Sequence, residues 1–277
     1  MLPRRIFTYW HQGLDSAPRL VQACTAQLTQ ENVGWQVEVY DAESAKKIIE
    51  SIPISPERLL SLGHAHLSDL IRTKLLIDYG GVWVDPTVFV TRPLDTWLPS
   101  KMDAGIFLFS HPGRDRLISN WFIAAEAGHP ILVSLYESLC GYWENNDFRR
   151  GQSQSTRTGR MLARAINRNL TLPELWFSWP VRRLLKQYPY MVYHYMFCHL
   201  VSSDAHLKEI FSSMPIVSAD KPHALQRTGL CAPFGADAER VLRDRDIPLH
   251  KLNWKVRSGV ESTDTVLDHL IQSVKNA

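Results

Sequence analysis

The chain has 277 residues, of which 45% are apolar and 21% are charged, and its formal net charge is +3. This composition excludes a disordered or fibrous chain, and the charge is too small to indicate a nucleic-acid partner. The four cysteines are widely spaced and no apolar run reaches eighteen residues. We therefore expect a cytoplasmic protein without disulfides or a membrane-spanning helix.

The N-terminal part of the chain alternates predicted strands and helices. Residues 5–10 are rich in β-branched and aromatic side chains and predict a first strand. A helix is predicted over residues 18–30, and a second strand over residues 35–40, where polar and apolar residues alternate. Asp41 can cap a short helix over residues 42–50. This βαβα order predicts an α/β fold with a mostly parallel, Rossmann-like sheet flanked by helices.

The stretch from Ser68 to Gly81 carries a clear helical pattern. Apolar residues recur at helical spacing, Ser68 can cap the start, and Gly80-Gly81 can end the helix in a left-handed conformation. Asp69 and Arg72 are three residues apart and therefore share one face. Taken alone, these two side chains could form a surface ion pair of little energetic value.

A short buried strand is predicted directly after this helix, over residues 82–84. Pro86 favours an extended or turn conformation at Asp85 and cannot donate to a strand ladder, so the strand ends at Asp85. Open α/β sheets bind ligands at the carboxyl ends of their strands. We therefore expect Asp85, Asp69 and Arg72 to converge on one crevice.

The remaining chain predicts two further strands and a mainly helical C-terminal half. Short apolar runs predict strands over residues 88–90 and 104–110. A helix is expected over residues 119–130, and three-and-four spacing over residues 188–200 predicts a helix with a buried face. We expect one domain with a sheet-forming half and a mainly helical half; their ranges are 1–110 and 111–277.

Residues 149–168 contain six arginines and no acidic residue. Four of the arginines share one side of a predicted helix and form a basic stripe: Arg157, Arg160, Arg164 and Arg168. Two interpretations stay open. The stripe is either an ordinary solvated face or a surface that attracts anionic lipid headgroups or the pyrophosphate of a lipid-linked acceptor.

The residues from Ser68 to Thr87 resemble a signature of the capsular polysaccharide synthesis proteins related to glycosyltransferase family 32. That signature is Ser-Asp-x-x-Arg, a helix that ends in Tyr-Gly-Gly, and a strand that leads into an Asp-x-Asp or Asp-x-Thr turn. Residues 220–226 match the family's late Asp-x-Pro-His-x-Leu-Gln motif, and residues 248–255 match its ending. The resemblance therefore extends from Arg4 to about Lys255.

This resemblance implies an A-type glycosyltransferase fold and a nucleotide-sugar donor site. The aromatic residue at the first strand end, Trp10, would stack on uracil, and Asp69 would accept hydrogen bonds from sugar or ribose hydroxyls. Asp69 and Asp85 are the implied catalytic pair. The full implied donor site comprises Tyr9, Trp10, Gln12, Asp69, Arg72, Asp85, Thr87, Asn120, His223 and Arg227.

The resemblance also implies a divalent metal, Mn²⁺ or Mg²⁺, on Asp85, with Thr87 and His223 as further ligands. Because Thr87 replaces the second carboxylate of an Asp-x-Asp turn, tight metal binding is in doubt. The alternative is that cationic side chains such as Arg72, His223 and Arg227 share the work of the metal.

The implied reaction is transfer of a hexose from a UDP-sugar to a hydroxyl of a bacterial capsule, O-antigen or exopolysaccharide. The acceptor would be a glycan or a lipid-linked oligosaccharide, and the reaction would retain the anomeric configuration. The enzyme would be cytoplasmic, at the inner face of the plasma membrane. The alternative function is a non-catalytic scaffold that binds a nucleotide or a glycan, which Thr87 keeps open.

Overall fold

A computed structural model describes residues 2–148, 155–255 and 264–275. Its strands are β1 (Arg5–Tyr9), β2 (Gln36–Tyr40), β3 (Gly81–Val84), β4 (Val88–Val90), β5 (Ile106–Gly113), β6 (Arg116–Ala125) and β7 (Leu249–Lys251). Its helices are α1 (Arg19–Glu31), α2 (Lys46–Glu50), α3 (Pro56–Ser61), α4 (His64–Tyr79), α5 (Pro130–Glu144), α6 (Arg157–Ile166), α7 (Val192–Ser203), α8 (Ala205–Ser213), α9 (Ala224–Thr228), α10 (Ala236–Arg243) and α11 (Val266–Lys275).

The central sheet has five strands in the order β2-β1-β3-β6-β5. Strand β1 is parallel to both β2 and β3, whereas β6 is antiparallel to both β3 and β5. The predicted α/β class is confirmed, but the sheet is mixed and not mostly parallel. The reason is local: β5 and β6 form a hairpin across Arg114 and Asp115, and strands joined so tightly can only be antiparallel.

The helix predicted over residues 119–130 is wrong, because most of this stretch is strand β6. The strand lies between β3 and β5 and is buried on both faces along most of its length. A strand buried on both faces reads as a continuous apolar run, which periodicity alone does not distinguish from a buried helix. Helix α5 begins only at Pro130, after a turn at Ala127-Gly128 and the N-cap His129.

Two hydrophobic cores cover the two faces of the sheet. Successive residues of β3 point to opposite faces, so Trp83 packs with residues of α4, α5 and α7, whereas Val82 packs with Leu28 of α1.

None of the helices in the described part of the chain is long and apolar enough to cross a bilayer. The predicted boundary at residue 110 lies within β5, and the separate roles of the two halves stay predictions.

A second, two-stranded sheet brings the C-terminal part of the chain to the end of β3. Strand β4 follows the turn at Asp85 and pairs with β7 in antiparallel register, with Val88 opposite Lys251. Helix α11 packs in the same cluster as α1, where Leu270 and Leu20 are both buried. Residue Lys251 is thereby fixed beside a turn that precedes it by more than 160 residues.

Helix α4 begins one turn earlier than predicted. Its first residue is His64 and its N-cap is Gly63, so Ser68 is an internal residue and not the cap. The helix extends because His66 is buried and continues the packed face by a further turn. The Ser68 hydroxyl instead accepts a hydrogen bond from Arg72 Nη2 at 3.2 Å.

The predicted glycine stop is confirmed at Gly80 and Gly81, which end α4 and begin β3. Gly81 has φ +111°, and a Cβ atom there would lie 2.5 Å from the carbonyl oxygen of Arg5 on β1. We expect Gly81→Ala to lower the free energy of unfolding by about 3 kcal/mol, because both the backbone and the sheet contact are strained. Urea unfolding followed by circular dichroism measures this change.

A matched control for this substitution is Gly235→Ala. Gly235 has φ −126°, and no atom lies within 4 Å of a Cβ placed there. Gly235→Ala should lower the free energy of unfolding by less than about 1 kcal/mol, the usual effect of changing a helix N-cap residue. Equal destabilisation by the two substitutions would contradict the strain assigned to Gly81.

Candidate active site

The carboxyl ends of three parallel strands form one edge of the sheet. Trp10 follows β1, Asp41 follows β2 and Asp85 follows β3. Because these strands run in the same direction, their three end residues lie side by side along that edge. This edge is where open α/β sheets bind ligands.

Asp85 is held between two cationic side chains. Lys251 Nζ donates to Asp85 Oδ2 at 2.8 Å, and Arg72 Nη2 lies 3.4 Å from Oδ1. The indole Nε1 of Trp83 donates to Oδ1 at 3.0 Å. Burial alone would raise the pKa of Asp85, but the nearby charges of Lys251 and Arg72 and the hydrogen bonds from Lys251 and Trp83 lower it to about 2.

Arg72 is buried and joins the helix to the strand ends. Its guanidinium donates to the backbone carbonyls of Ser68, at 3.3 Å, and Asn120, and it lies 3.5 Å from Asp69 Oδ1. Its Cζ lies 4.9 Å from the ring centroid of Trp83, which adds a cation–π contact. A guanidinium with this many fixed partners has little freedom to move.

Asp69 points from α4 towards strand β6. Its Oδ1 accepts a hydrogen bond of 2.8 Å from Asn120 Nδ2, and His66 Nδ1 lies 3.8 Å from its Oδ2. The structure therefore brings Asp69, Arg72, Asp85 and Asn120 together in one network, although Asn120 comes from a strand and not from a helix start.

Thr87 joins the same network through Lys251. Lys251 Nζ donates to Thr87 Oγ1 at 2.7 Å, so one ammonium bridges both polar residues of the Asp85-Pro86-Thr87 turn. Sequence reasoning missed Lys251, because no local pattern shows that β7 pairs with β4. The sequence pointed to Lys251 only through the match of residues 248–255 to the family ending, and that match did not indicate a function for this residue.

The aromatic side of the edge is formed by two tryptophans. The rings of Trp10 and Trp254 meet edge to face with centroids 5.5 Å apart, and Trp254 is exposed. Tyr9, in contrast, is buried in the core, and its hydroxyl lies 2.8 Å from His11 Nδ1. Gln12 is exposed on the loop after β1. Trp10 is therefore the residue of this group whose position suits contact with a planar base.

The two predicted residues of the late motif differ in their contacts. His223 Nδ1 donates to the carbonyl of Ala219 at 2.7 Å, which leaves its Nε2 as an acceptor. Burial lowers the pKa of His223 against the opposing effect of this hydrogen bond, and Lys251 and Arg227 lower it further. Arg227 is exposed and pairs with Asp220, with Nη1 2.8 Å from Oδ1.

This donor set does not fit a divalent metal as it stands. Both oxygens of Asp85 already have cationic or N–H partners, and a cation between Asp85 and Thr87 would meet the ammonium of Lys251. Within residues 2–148, 155–255 and 264–275, no group of three or more His, Cys, Asp and Glu side chains could hold a metal. The metal implied by the resemblance stays a prediction.

Comparison with known proteins identifies the family. A family model described as "Capsular polysaccharide synthesis protein" matches residues 2–149, more than half of the chain. The chain belongs to this family. The resemblance predicted from the Ser68–Thr87 pattern is thereby confirmed. The family match contains Asp69, Arg72, Asp85 and Asn120, whereas Lys251 lies beyond it.

Two curated proteins to which this chain is similar come from fungi. The O-glycosyltransferase braB of Annulohypoxylon truncatum is 26% identical over 161 residues, which cover 51% of this chain and 38% of braB. The glycosyltransferase afumC of Aspergillus fumigatus is 27% identical over 162 residues, which cover 51% of this chain and 41% of afumC. The chain thus aligns with about two fifths of each relative's length.

Among solved structures, the PaToxG glycosyltransferase matches 99% of this chain and 87% of its own, at 10% identity and with a TM-score of 0.41.

Proposed function

We propose that the chain is a glycosyltransferase that moves a hexose from a UDP-sugar to a hydroxyl of a bacterial surface glycan. The observation that carries this proposal is the network of hydrogen bonds and ion pairs among Asp69, Arg72, Asp85 and Asn120 at the carboxyl edge of the sheet. Trp10 lies at the next strand end. A polar network beside an aromatic ring at this edge suits a sugar nucleotide, which has hydroxyls, a diphosphate and a base.

Each part of a UDP-sugar has a suitable partner at this edge. The ring of Trp10 would stack on uracil, a contact worth about 1–3 kcal/mol. The carboxylate of Asp69 is oriented by Asn120 and Arg72 and would accept hydrogen bonds from ribose or hexose hydroxyls. The cations beside Asp85 would face the negatively charged diphosphate.

During the reaction negative charge builds up on the departing diphosphate and positive charge builds up on the sugar carbon C1. The bond between C1 and the phosphate oxygen breaks as the acceptor oxygen bonds to C1, and the acceptor proton passes to the leaving phosphate oxygen. Attack from the face that the phosphate leaves would retain the configuration at C1. Positive charge near the diphosphate stabilises the departing group.

A panel of UDP-hexoses tests this proposal directly. The protein is incubated with each donor and with sugar acceptors, UDP release is measured, and the product anomer is determined by NMR. We expect UDP release with one donor and a retained anomer. Inversion would contradict retention, and UDP binding without any release would favour the non-catalytic scaffold.

We also propose that residues 157–190 contact an anionic membrane. Seven of the thirteen exposed large apolar side chains in the described part of the chain lie here: Met161, Leu170, Leu175, Trp179, Leu184, Leu185 and Tyr190. The exposed cations of the same segment are Arg157, Arg160, Arg164, Arg168, Arg183 and Lys186, against one acidic residue, Glu174. Arg149 and Arg150, the other two arginines of residues 149–168, lie outside the described residues.

This combination suits a bilayer surface better than a solvated face. Exposed Leu and Trp side chains gain free energy at the acyl boundary, and arginines beside them attract anionic headgroups. An enzyme held there would meet a lipid-linked acceptor at the same surface.

We expect the double substitution Arg164→Glu and Arg168→Glu to weaken binding to anionic vesicles. Each cation near an anionic surface contributes about 1 kcal/mol, so the loss should exceed about tenfold. Cosedimentation with phosphatidylglycerol-containing vesicles measures it. The matched control is Arg240→Glu with Arg243→Glu on α10, where both side chains are also exposed. Equal binding by all three proteins would contradict the proposed surface.

A further inference from the structure

The ammonium of Lys251 lies where the resemblance implies a metal ion. Lys251 Nζ is 2.8 Å from Asp85 Oδ2 and 2.7 Å from Thr87 Oγ1, and it donates to both. In an Asp-x-Asp turn the second carboxylate would hold a divalent cation. Here the chain supplies a cation of its own at the same turn.

The charges at the site already balance without a metal. Two carboxylates, Asp69 and Asp85, pair with two cationic side chains, Arg72 and Lys251. A divalent ion bound at Asp85 would be repelled by the ammonium a few ångströms away, and it would have to displace existing hydrogen bonds. Thr87 agrees with this arrangement, because a neutral hydroxyl accepts from an ammonium but is a weak metal ligand.

Lys251 is held in place and is still reachable. Its backbone belongs to β7, which pairs with β4, and its side chain is 19% exposed. An ammonium has three N–H donors, and within the described residues two of them have acceptors, on Asp85 and Thr87. The third remains for a phosphate oxygen.

We propose that Lys251 binds the diphosphate of the donor nucleotide in place of a metal ion, so that donor binding does not require a divalent cation. This inference rests on the proposed function, because it assigns the ligand from the UDP-sugar donor. It also explains why the second carboxylate of the turn is absent. A carboxylate at position 87 would add a third negative charge to those of Asp69 and Asp85, which Arg72 and Lys251 alone would not balance.

Calorimetric titration of UDP in the presence of EDTA tests this role. Wild-type protein should bind UDP equally well with EDTA and with Mn²⁺, and Lys251→Met should weaken binding by about 10–100-fold, as expected for loss of a charge-assisted contact. The matched control is Lys74→Met. Lys74 forms an ion pair with Asp78 and is 23% exposed, and neither residue belongs to the network of Asp69, Arg72, Asp85 and Lys251. Circular dichroism verifies that both variants are folded.

A second variant tests whether a metal ion can take the place of the lysine. Thr87→Asp combined with Lys251→Met restores an Asp-x-Asp turn and removes the ammonium. Mn²⁺ alone should then bind to this double variant, detected as loss of the free-ion signal in electron paramagnetic resonance, whereas wild-type protein should leave that signal unchanged. UDP binding by the double variant should require Mn²⁺.

The outcomes separate this inference from the function on which it rests. UDP binding by wild-type protein that requires Mn²⁺, or tight Mn²⁺ binding by wild-type protein, would overturn the role of Lys251 and leave the transferase proposal intact. Equal UDP binding by wild type and Lys251→Met would also overturn that role. No UDP binding by wild type in either condition would overturn the proposed donor, and with it the ligand assigned to Lys251.

Discussion

Asp85→Asn is expected to lower the free energy of unfolding by about 3 kcal/mol, the usual cost of removing one partner from a buried charge network. The amide keeps the shape of the side chain but loses its charge, so Lys251 loses the carboxylate with which it pairs and Arg72 is left with Asp69. Urea unfolding at neutral pH measures the change. UDP-sugar turnover should fall by a factor of about 10³ as the cations lose their position.

The pH dependence of stability provides a second measure of the same carboxylate. The pKa of Asp85 is about 2 in the folded protein, below its usual value of about 3.9 in an unfolded chain. A lowered pKa stabilises the fold above the unfolded value, and this contribution of about 2 kcal/mol is lost as the pH falls from about 4 to about 2. Asp85→Asn should therefore show a smaller loss of stability across this range.

Asp95→Asn is the matched control for this carboxylate. Asp95 also pairs with an arginine, Arg4, at 3.1 Å, but both side chains are exposed. Its substitution should change stability by less than about 1 kcal/mol. Equal effects of the two substitutions would contradict the buried network. Adding Lys251→Met to Asp85→Asn should recover part of the lost stability, because the uncompensated ammonium is removed.

Arg72→Lys is expected to destabilise the protein by about 3 kcal/mol although it preserves the charge. The guanidinium of Arg72 donates to Ser68 and Asn120 and stacks on Trp83. A lysine ammonium is a single point charge that cannot reach these groups together, so buried acceptors lose their partners. Thermal unfolding measures the effect, and UDP affinity should fall with it.

The control for this substitution is Arg227→Lys. Arg227 also has several polar contacts, all with Asp220, but both residues are exposed. We expect a change below about 1 kcal/mol. A small effect of Arg72→Lys, similar to that of Arg227→Lys, would show that the planar geometry of the buried guanidinium does not stabilise the site.

Local patterns predicted the first part of the fold well. The helical spacing before Gly80, the glycine pair and Pro86 each act within a few residues, and the structure has the end of α4, strand β3 and the end of that strand before Asp85 where they predicted them. Strand β6 was missed because a segment buried on both faces lacks a two-residue period. The mixed character of the sheet was missed for the same reason, because β6 contributes both antiparallel pairings of the central sheet.

The site was predictable to the extent that its members are close in sequence. The shared helix face of Asp69 and Arg72 follows from a spacing of three residues, and their convergence on Asp85 follows from the strand order of α/β folds. Lys251 meets Asp85 across 166 residues, through a pairing of two three-residue strands. No local pattern in the sequence carries that contact.

A nucleotide-sugar site at this edge of the sheet is tested most directly by calorimetric titration of UDP into wild-type protein, Trp10→Ala and Asp69→Asn. We expect saturable binding of one UDP per chain. Trp10→Ala should weaken it by about 5–100-fold through loss of base stacking, and Asp69→Asn should weaken it through loss of an acceptor for ribose hydroxyls. No binding by wild-type protein, or binding that neither substitution changes, would contradict a nucleotide-sugar site at this edge of the sheet.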